Sequence, residues 1–210
     1  MAERTVEDRL REQYFSLLPD IRRVAWQLET EIRFHTLSTL HKLKHYEKLV
    51  IKPRIKECES AIQALRRRQE GGTFDQEKPE NYSLLRLPDL AGVRVLVFPR
   101  SILNEVDFAL HSHFSLWTPD PVPDGMGGAL AQKHIGHCAA VSSEIQAEYQ
   151  IVPMLIGLYW QVEHSAIYKP APNVKALRDK ADSEPLERLN ANVVRALLEF
   201  EAEYERNLKD

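Results

Sequence analysis

The run Gly92-Val93-Arg94-Val95-Leu96-Val97-Phe98, closed by Pro99, constrains the fold more than any other part of the chain. A stretch so rich in β-branched residues predicts a largely buried strand over 92–98. A guanidinium cannot sit unpartnered between two valines of such a strand, so Arg94 must meet a partner or line a cleft. Just upstream, Pro88-Asp89-Leu90-Ala91 leads from loop into strand and places a carboxylate at its edge. Asp89 is well sited there for Mg²⁺, which takes oxygen ligands and leaves room for substrate phosphates. The plainer alternative is a structural ion pair between Asp89 and Arg94.

Helical patterns flank this strand. Ile21, Val24, Ala25, Leu28 and Ile32 recur at helical spacing and predict helix up to about residue 50, with Pro19-Asp20 as its start. A second helix is expected over 53–69, with Pro53 in its first turn, Ile55, Cys58, Ile62 and Leu65 as its apolar stripe, and Gly71-Gly72 beyond its end. On that helix Lys56, Ser60 and Arg67 would share roughly one face and could grip a polyphosphate; the plainer alternative is a solvated basic face. Residues 71–88 read as an exposed, moving connection. His41 and His45, at i and i+4, lack a third ligand nearby, and a solvated helix face is the better reading of the pair.

Beyond the strand, Ser101 is expected to cap a helix ending near His113, and 118–132, with its three prolines and three glycines, reads as a long surface loop. Strands are expected at about 137–145 and 147–153, then helices at 154–166 and 185–207. Alternation on the second of these strands puts Glu148 and Gln150 on one face and Tyr149 on the other. Were it to neighbour 92–98, Asp89 and Glu148 would form two carboxylates around one metal. Helices, then a small sheet with interspersed helices, then helices again point to an α+β fold with a mixed or antiparallel sheet.

Composition limits the function classes. The chain has 210 residues, 43% hydrophobic and 28% charged, as suits one soluble domain with its own core. Its formal charge of −3 favours neither DNA nor an anionic membrane as partner. Cys58 and Cys138 are its only cysteines, which fits a reducing cytoplasm. The charged start MAERTVEDRLREQ and the lack of an apolar run of about 20 residues argue against secretion and membrane insertion. Phosphate loops, dinucleotide fingerprints, zinc-protease helices and nucleophile elbows are all absent.

Four segments in order resemble the RelA/SpoT-type alarmone synthetases: RIKxxxS at 54–60 with its trailing arginines, LPDLAGVRV at 87–95, EYQIV at 148–152 and EHSAIYK at 163–169. The resemblance covers about 45–170. It implies a nucleotidyltransferase-like mixed sheet flanked by helices, with its core over 51–170; the helical N-terminal part over 1–50 and the C-terminal helices over 171–210, read from periodicity, lie outside it. It also implies Mg²⁺-dependent transfer of pyrophosphate from ATP to the 3′-hydroxyl of GDP or GTP, releasing AMP. Carried over by position, Arg54 and Arg94 would sandwich adenine, and Lys56, Ser60 and Arg67 would hold the ATP phosphates. Asp89 and Glu148 would ligate the metal and serve catalysis, while Lys133, His137, Gln150 and His164 would serve the acceptor.

The chain departs from the family pattern on the guanine side. Residues 133–141, taken as a loop before the middle strand, carry His137 where the family's N-G-Y-x-S-x-H segment has a tyrosine. Val152 replaces an arginine, Ala64 a lysine, and Gly157 an Asn or Asp. Transfer to another 3′-hydroxyl, on a different nucleotide or a tRNA, and a silent nucleotide-binding protein are the alternatives. Alarmone hydrolysis is not expected, because the sequence contains no His-Asp dipeptide. Small synthetases of this type often assemble, and the terminal helices are the candidate interface for a homo-oligomer.

Overall fold

The computed structural model describes residues 4–124, 128–138, 141–142, 144–163 and 183–208. The chain opens with α1 (Val6–His35), started by a reciprocal cap in which the Thr5 side chain accepts from the Asp8 amide and the Asp8 carboxylate accepts from the Thr5 amide. This overturns the expected start at Pro19-Asp20. Pro19 lies inside α1, because Val6, Leu10 and Tyr14 extend the buried stripe of Ile21, Val24, Leu28 and Ile32 toward the N-terminus. Packing of that stripe outweighs the roughly 3 kcal/mol an interior proline costs a helix.

After a short α2 (Leu37–Lys42) the helix expected to reach residue 50 gives way to β1 (Lys48–Ile55), an edge strand antiparallel to β2 (Ala91–Phe98). The second helix is correspondingly shorter, α3 (Cys58–Arg67). Pro53 therefore lies in a strand rather than at a helix start, which an edge tolerates because the missing N–H need not face a partner. Arg54 belongs to β1, and Lys56 lies between β1 and α3. Lys56, Ser60 and Arg67 therefore do not share one helix. His41 ends up in α2 while His45 lies past its end, and both are exposed.

The connection expected at 71–88 is exposed over 71–73, 75–78 and 80–81, and it carries short 3-10 turns at Glu70–Gly72, Pro79–Asn81 and Leu84–Arg86. Phe74, Tyr82, Leu84, Leu87 and Leu90 are buried in the main core. Gln13 ties this segment to α1, its Nε2 donating to Ser83 Oγ (2.8 Å) and its Oε1 accepting from the Leu84 amide (2.9 Å).

β2 is buried and ends before a 3-10 turn at Arg100–Ile102, which runs into α4 (Leu103–His113). Ser101 does not cap α4; its amide donates to Glu205 Oε1 at 3.0 Å. The expected loop 118–132 contains β3 (Thr118–Pro119), β4 (Val122–Pro123) and the first half of β5 (Ala129–His137). The strand expected at 137–145 is thus β5, displaced toward the N-terminus. β6 (Gln146–Pro153), α5 (Met154–Glu163) and α6 (Ser183–Asn207) are the remaining elements among the described residues.

The sheet order is β1-β2-β6-β5-β3, with β4 added to β5. β2 and β6 run parallel, and β1 with β2 and β5 with β6 are antiparallel. The fold is therefore α+β with a mixed sheet. One face, bearing Val93, Val95, Val97, Tyr149 and Ile151, joins the apolar stripe of α1 in the main core. On the other face, Leu96 and Val152 pack with Ile156 of α5 and with Val194, Leu197 and Leu198 of α6. The inner side of α6 thus covers its own sheet, while Leu189, Val193 and Phe200 remain exposed. Gly157 lets α5 approach the sheet closely: a Cβ there would lie 2.3 Å from Leu96 Cδ2, so Leu96 would have to turn aside.

Candidate active site

The apolar cover on that second face ends before Gly92, Arg94, Glu148 and Gln150. Strand alternation and register arrange these residues in two adjacent rows. Arg54, Gly92, Glu148 and Ile135 lie opposite one another in the first, and Lys52, Arg94, Gln150 and Lys133 in the second. The expected neighbourhood of 92–98 and the Glu148 strand is met, and so is the separation of Glu148 and Gln150 from Tyr149. Gly92 makes the first row possible. A Cβ there would meet the Glu148 carbonyl oxygen at 2.9 Å and its Cγ at 3.1 Å.

A chain of polar contacts crosses the rows. Arg94 donates through Nε (3.3 Å) and Nη2 (3.1 Å) to Gln150 Oε1. Gln150 Nε2 donates to Glu148 Oε1 at 2.9 Å, and Arg54 Nη1 donates to the same oxygen at 3.2 Å. At the strand edge Lys56 Nζ forms an ion pair with Asp89 Oδ2, and both side chains are largely buried, at 11% and 18% exposed. Asp89 therefore pairs with Lys56 and Arg94 bonds Gln150, so the simple Asp89–Arg94 pair does not form. Two main-chain contacts hold Lys56: its amide donates to the Leu90 carbonyl (3.0 Å), and its carbonyl accepts from the Tyr14 hydroxyl (2.8 Å).

The electrostatics follow from this crowding. Burial pushes the Glu148 carboxyl above its ordinary range and Asp89 adds to the shift, while Arg54, Lys133 and Lys56 oppose it. Burial, helped by repulsion from Arg54, lowers Arg94, and Glu148 opposes that change. Two acids and several cations therefore act on one another in one place.

Ser60 Oγ on α3 is buried without a hydrogen-bond partner, and so is Asp89 Oδ1. Arg67, in the last turn of α3, is exposed. On β5, Lys133 forms an ion pair with Asp120. His137 is the exposed last residue of β5, opposite Gln146, so Lys133–His137 is strand and not the loop before it. His164 lies outside the described residues.

Among the described residues no group of three or more His, Cys, Asp or Glu side chains converges as a metal site. Two carboxylates suffice for Mg²⁺, which is commonly held by one or two of them together with substrate phosphates and water. The orphaned Asp89 Oδ1 is an acceptor suited to such an ion.

Sequence reasoning missed Tyr14, Asp120 and a buried cluster directly behind the site. In that cluster His134 lies opposite Tyr149 and its Nε2 is 2.9 Å from Asp107 Oδ1. Alternation along β5 would have set His134 behind Lys133 had the strand been placed correctly. Nothing local signals its pairing with Asp107 on α4.

No protein-family model matches the sequence, and no curated protein matches it in a sequence search. Solved structures do match. Small alarmone synthetase 1 from Bacillus subtilis bound to its product pppGpp superposes with a TM-score of 0.63 at 17% identity, covering 95% of this chain and 100% of that one. The chain has the small alarmone synthetase fold. The same Bacillus protein bound to AMPCPP gives a TM-score of 0.60 at 16% identity, over 95% of this chain and 99% of that one. A GTP pyrophosphokinase family protein from Streptococcus pneumoniae gives 0.60 at 20% identity, over 93% and 94% of the two chains. The likeness to alarmone synthetases read from the four motifs is thus met in the fold. The synthetase fold runs from the N-terminal helix through α6, beyond the 45–170 that the motifs span.

Proposed function

We propose that this chain is an alarmone synthetase of the GTP pyrophosphokinase type, transferring pyrophosphate from ATP to the 3′-hydroxyl of GDP or GTP and releasing AMP. The observation that carries this reading is the pairing of Asp89 and Glu148 with Lys56 and Arg54 on the open part of the sheet face. Neighbouring folds that hold pppGpp and AMPCPP support it.

In this reading Arg54 and Arg94, adjacent on one face, stack on adenine, for which a planar cation is suited. Lys56, Ser60 and Arg67 bind the polyphosphate; the buried Ser60 hydroxyl has no other partner. Asp89 and Glu148 hold Mg²⁺, which when bound neutralises charge on the phosphates. Glu148 takes the proton of the 3′-hydroxyl as its oxygen bonds to the β-phosphorus. The bond from that phosphorus to the α,β-bridging oxygen breaks, and AMP leaves with the oxygen. Lys133, Gln150, His137 and His164 are assigned to the acceptor side. Cys58 and Cys138 are free thiols, in keeping with a cytosolic enzyme.

The test is AMP release with ATP and Mg²⁺ in the presence of GDP, GTP, other nucleotides or deacylated tRNA, following labelled γ-phosphate. Label on a guanosine nucleotide is the expected result. Label on another 3′-hydroxyl would redirect the acceptor assignment. No AMP with any acceptor, from folded protein, would overturn the enzyme reading and leave a nucleotide-binding protein.

A further inference from the structure

Each carboxylate assigned to the metal already touches a cation of the chain itself. The Arg54–Glu148 pair is half open, with Arg54 38% exposed. The Lys56–Asp89 pair is the more enclosed, and its geometry is fixed from both sides. Leu90, next to Asp89, accepts from the Lys56 amide, and Tyr14 of α1 anchors the Lys56 carbonyl. Asp89 thus uses one oxygen for Lys56 while the other stays buried and unpartnered.

We infer that the Lys56 ammonium is a resident counter-ion standing in for the divalent metal at Asp89, so that metal and polyphosphate are admitted together by exchange of partners. This rests on the assignment of Asp89 to the metal and Lys56 to the phosphates. A divalent cation approaching Asp89 alone brings a second positive centre beside an ammonium that is only 11% exposed. Lys56 cannot move off without losing its pair, and a part-buried unpaired charge is costly. A triphosphate supplies the new anion: Lys56 passes to a phosphate oxygen, and Asp89 is freed with both oxygens for the metal. Each ligand therefore removes the obstacle to the other, which is a positive coupling between them.

The test uses Mn²⁺ as the probe, titrated into the full-length protein and followed by electron paramagnetic resonance, with the preformed Mn²⁺·AMPCPP complex followed by calorimetry. Wild type should bind Mn²⁺ alone at least about tenfold more weakly than Lys56→Met, a typical size for such coupling. Lys56→Met should at the same time bind Mn²⁺·AMPCPP about tenfold or more weakly than wild type. Asp89→Asn added to Lys56→Met should abolish the gained Mn²⁺ binding. Lys56→Gln, which keeps a polar group at the buried position, repeats the comparison if Lys56→Met does not fold. Equal Mn²⁺ affinity in wild type and the folded Lys56 variant overturns the exchange. Wild type that fails to bind Mn²⁺·AMPCPP overturns the ATP reading, and the comparison with Mn²⁺ alone still decides the role of Lys56.

Discussion

His134 and Tyr149, direct partners on β5 and β6, stack their rings 4.6 Å apart at an interplanar angle of 14°. They lie on the opposite sheet face from Lys133, Glu148 and Gln150, and His134 is 3% exposed. His134 Nε2 meets Asp107, whereas His134 Nδ1 and the Tyr149 hydroxyl are both buried without a partner, so only His134 gives up a polar contact when truncated. Tyr149→Phe should therefore leave stability unchanged or slightly raised, whereas His134→Ala should cost about 2–4 kcal/mol through lost stacking and an unsatisfied Asp107. Urea denaturation of the two variants checks the contrast; a larger loss for Tyr149→Phe would contradict it.

Removing either acid at the site should stop turnover without unfolding the chain. Asp89→Asn and Glu148→Gln are each expected to lower the rate of AMP formation by about 10²–10³-fold or more, the range for loss of a catalytic base or charge-stabilising group. Circular dichroism should show the native fold in both variants, with the Asp89→Asn melt lowered because the enclosed Lys56 ammonium loses its partner. Near-normal turnover in either variant would remove that residue from the proposed mechanism.

Glu201 on α6 sets a pH dependence of stability. It is 1% exposed, and burial pushes its carboxyl from an ordinary 4.5 up to about 7. Glu205 adds to the rise, and the Arg100 amide and guanidinium oppose it; Arg100 is itself paired with Asp124. The folded protein keeps this proton between about 4.5 and 7, where the unfolded chain has released it, so stability falls as pH rises through that window and is level above it. Glu201→Gln should be neutral near the lower limit and stabilising above the upper one, by up to about 3 kcal/mol. Chemical denaturation at several pH values reads this; a gain greatest in acid would have the wrong sign.

Gly157 faces Leu96 so closely that a side chain there would have to displace the buried Leu96 Cδ2. Gly157→Asn, which restores a residue type found in the family pattern, should destabilise by about 1–3 kcal/mol through overpacking. Substituting Leu96 with Ala in the same chain should recover part of that loss. A Gly157→Asn variant as stable as wild type would show that α5 can shift away from β2.

Parts of the site were legible because motif and strand alternation agreed. Arg94 in its apolar strand, Asp89 at the strand edge, and Glu148 and Gln150 on one face could all be placed before any coordinates. β1 was lost because Pro53 suits a helix start as well as an edge strand, and only the partner strand decides between them. β5 was displaced because prolines and glycines crowd its approach and its polar residues Gln132, Lys133, His134 and His137 blur the alternation. Buried polar groups such as His134 and Glu201 owe their positions to residues distant in sequence, Asp107 and the region of Arg100, which local periodicity does not encode. The stripe of α1 shows in the sequence but its length does not, because Pro19-Asp20 mimics a helix start inside a stripe that the Thr5–Asp8 cap begins further upstream.

Pro53 and the lysines of β1 bear on how copies of this chain could meet. β1 forms one margin of the sheet, where Pro53 removes one main-chain donor from the row a foreign strand would need and the charges of Lys48 and Lys52 disfavour its approach. At the other margin β3 is two residues long. Neither margin is a template for strand addition, so the sheet is protected from growing edge to edge into aggregates. Any contact between copies of this chain would have to be made by side chains, which can discriminate among partners as a bare row of main-chain groups cannot.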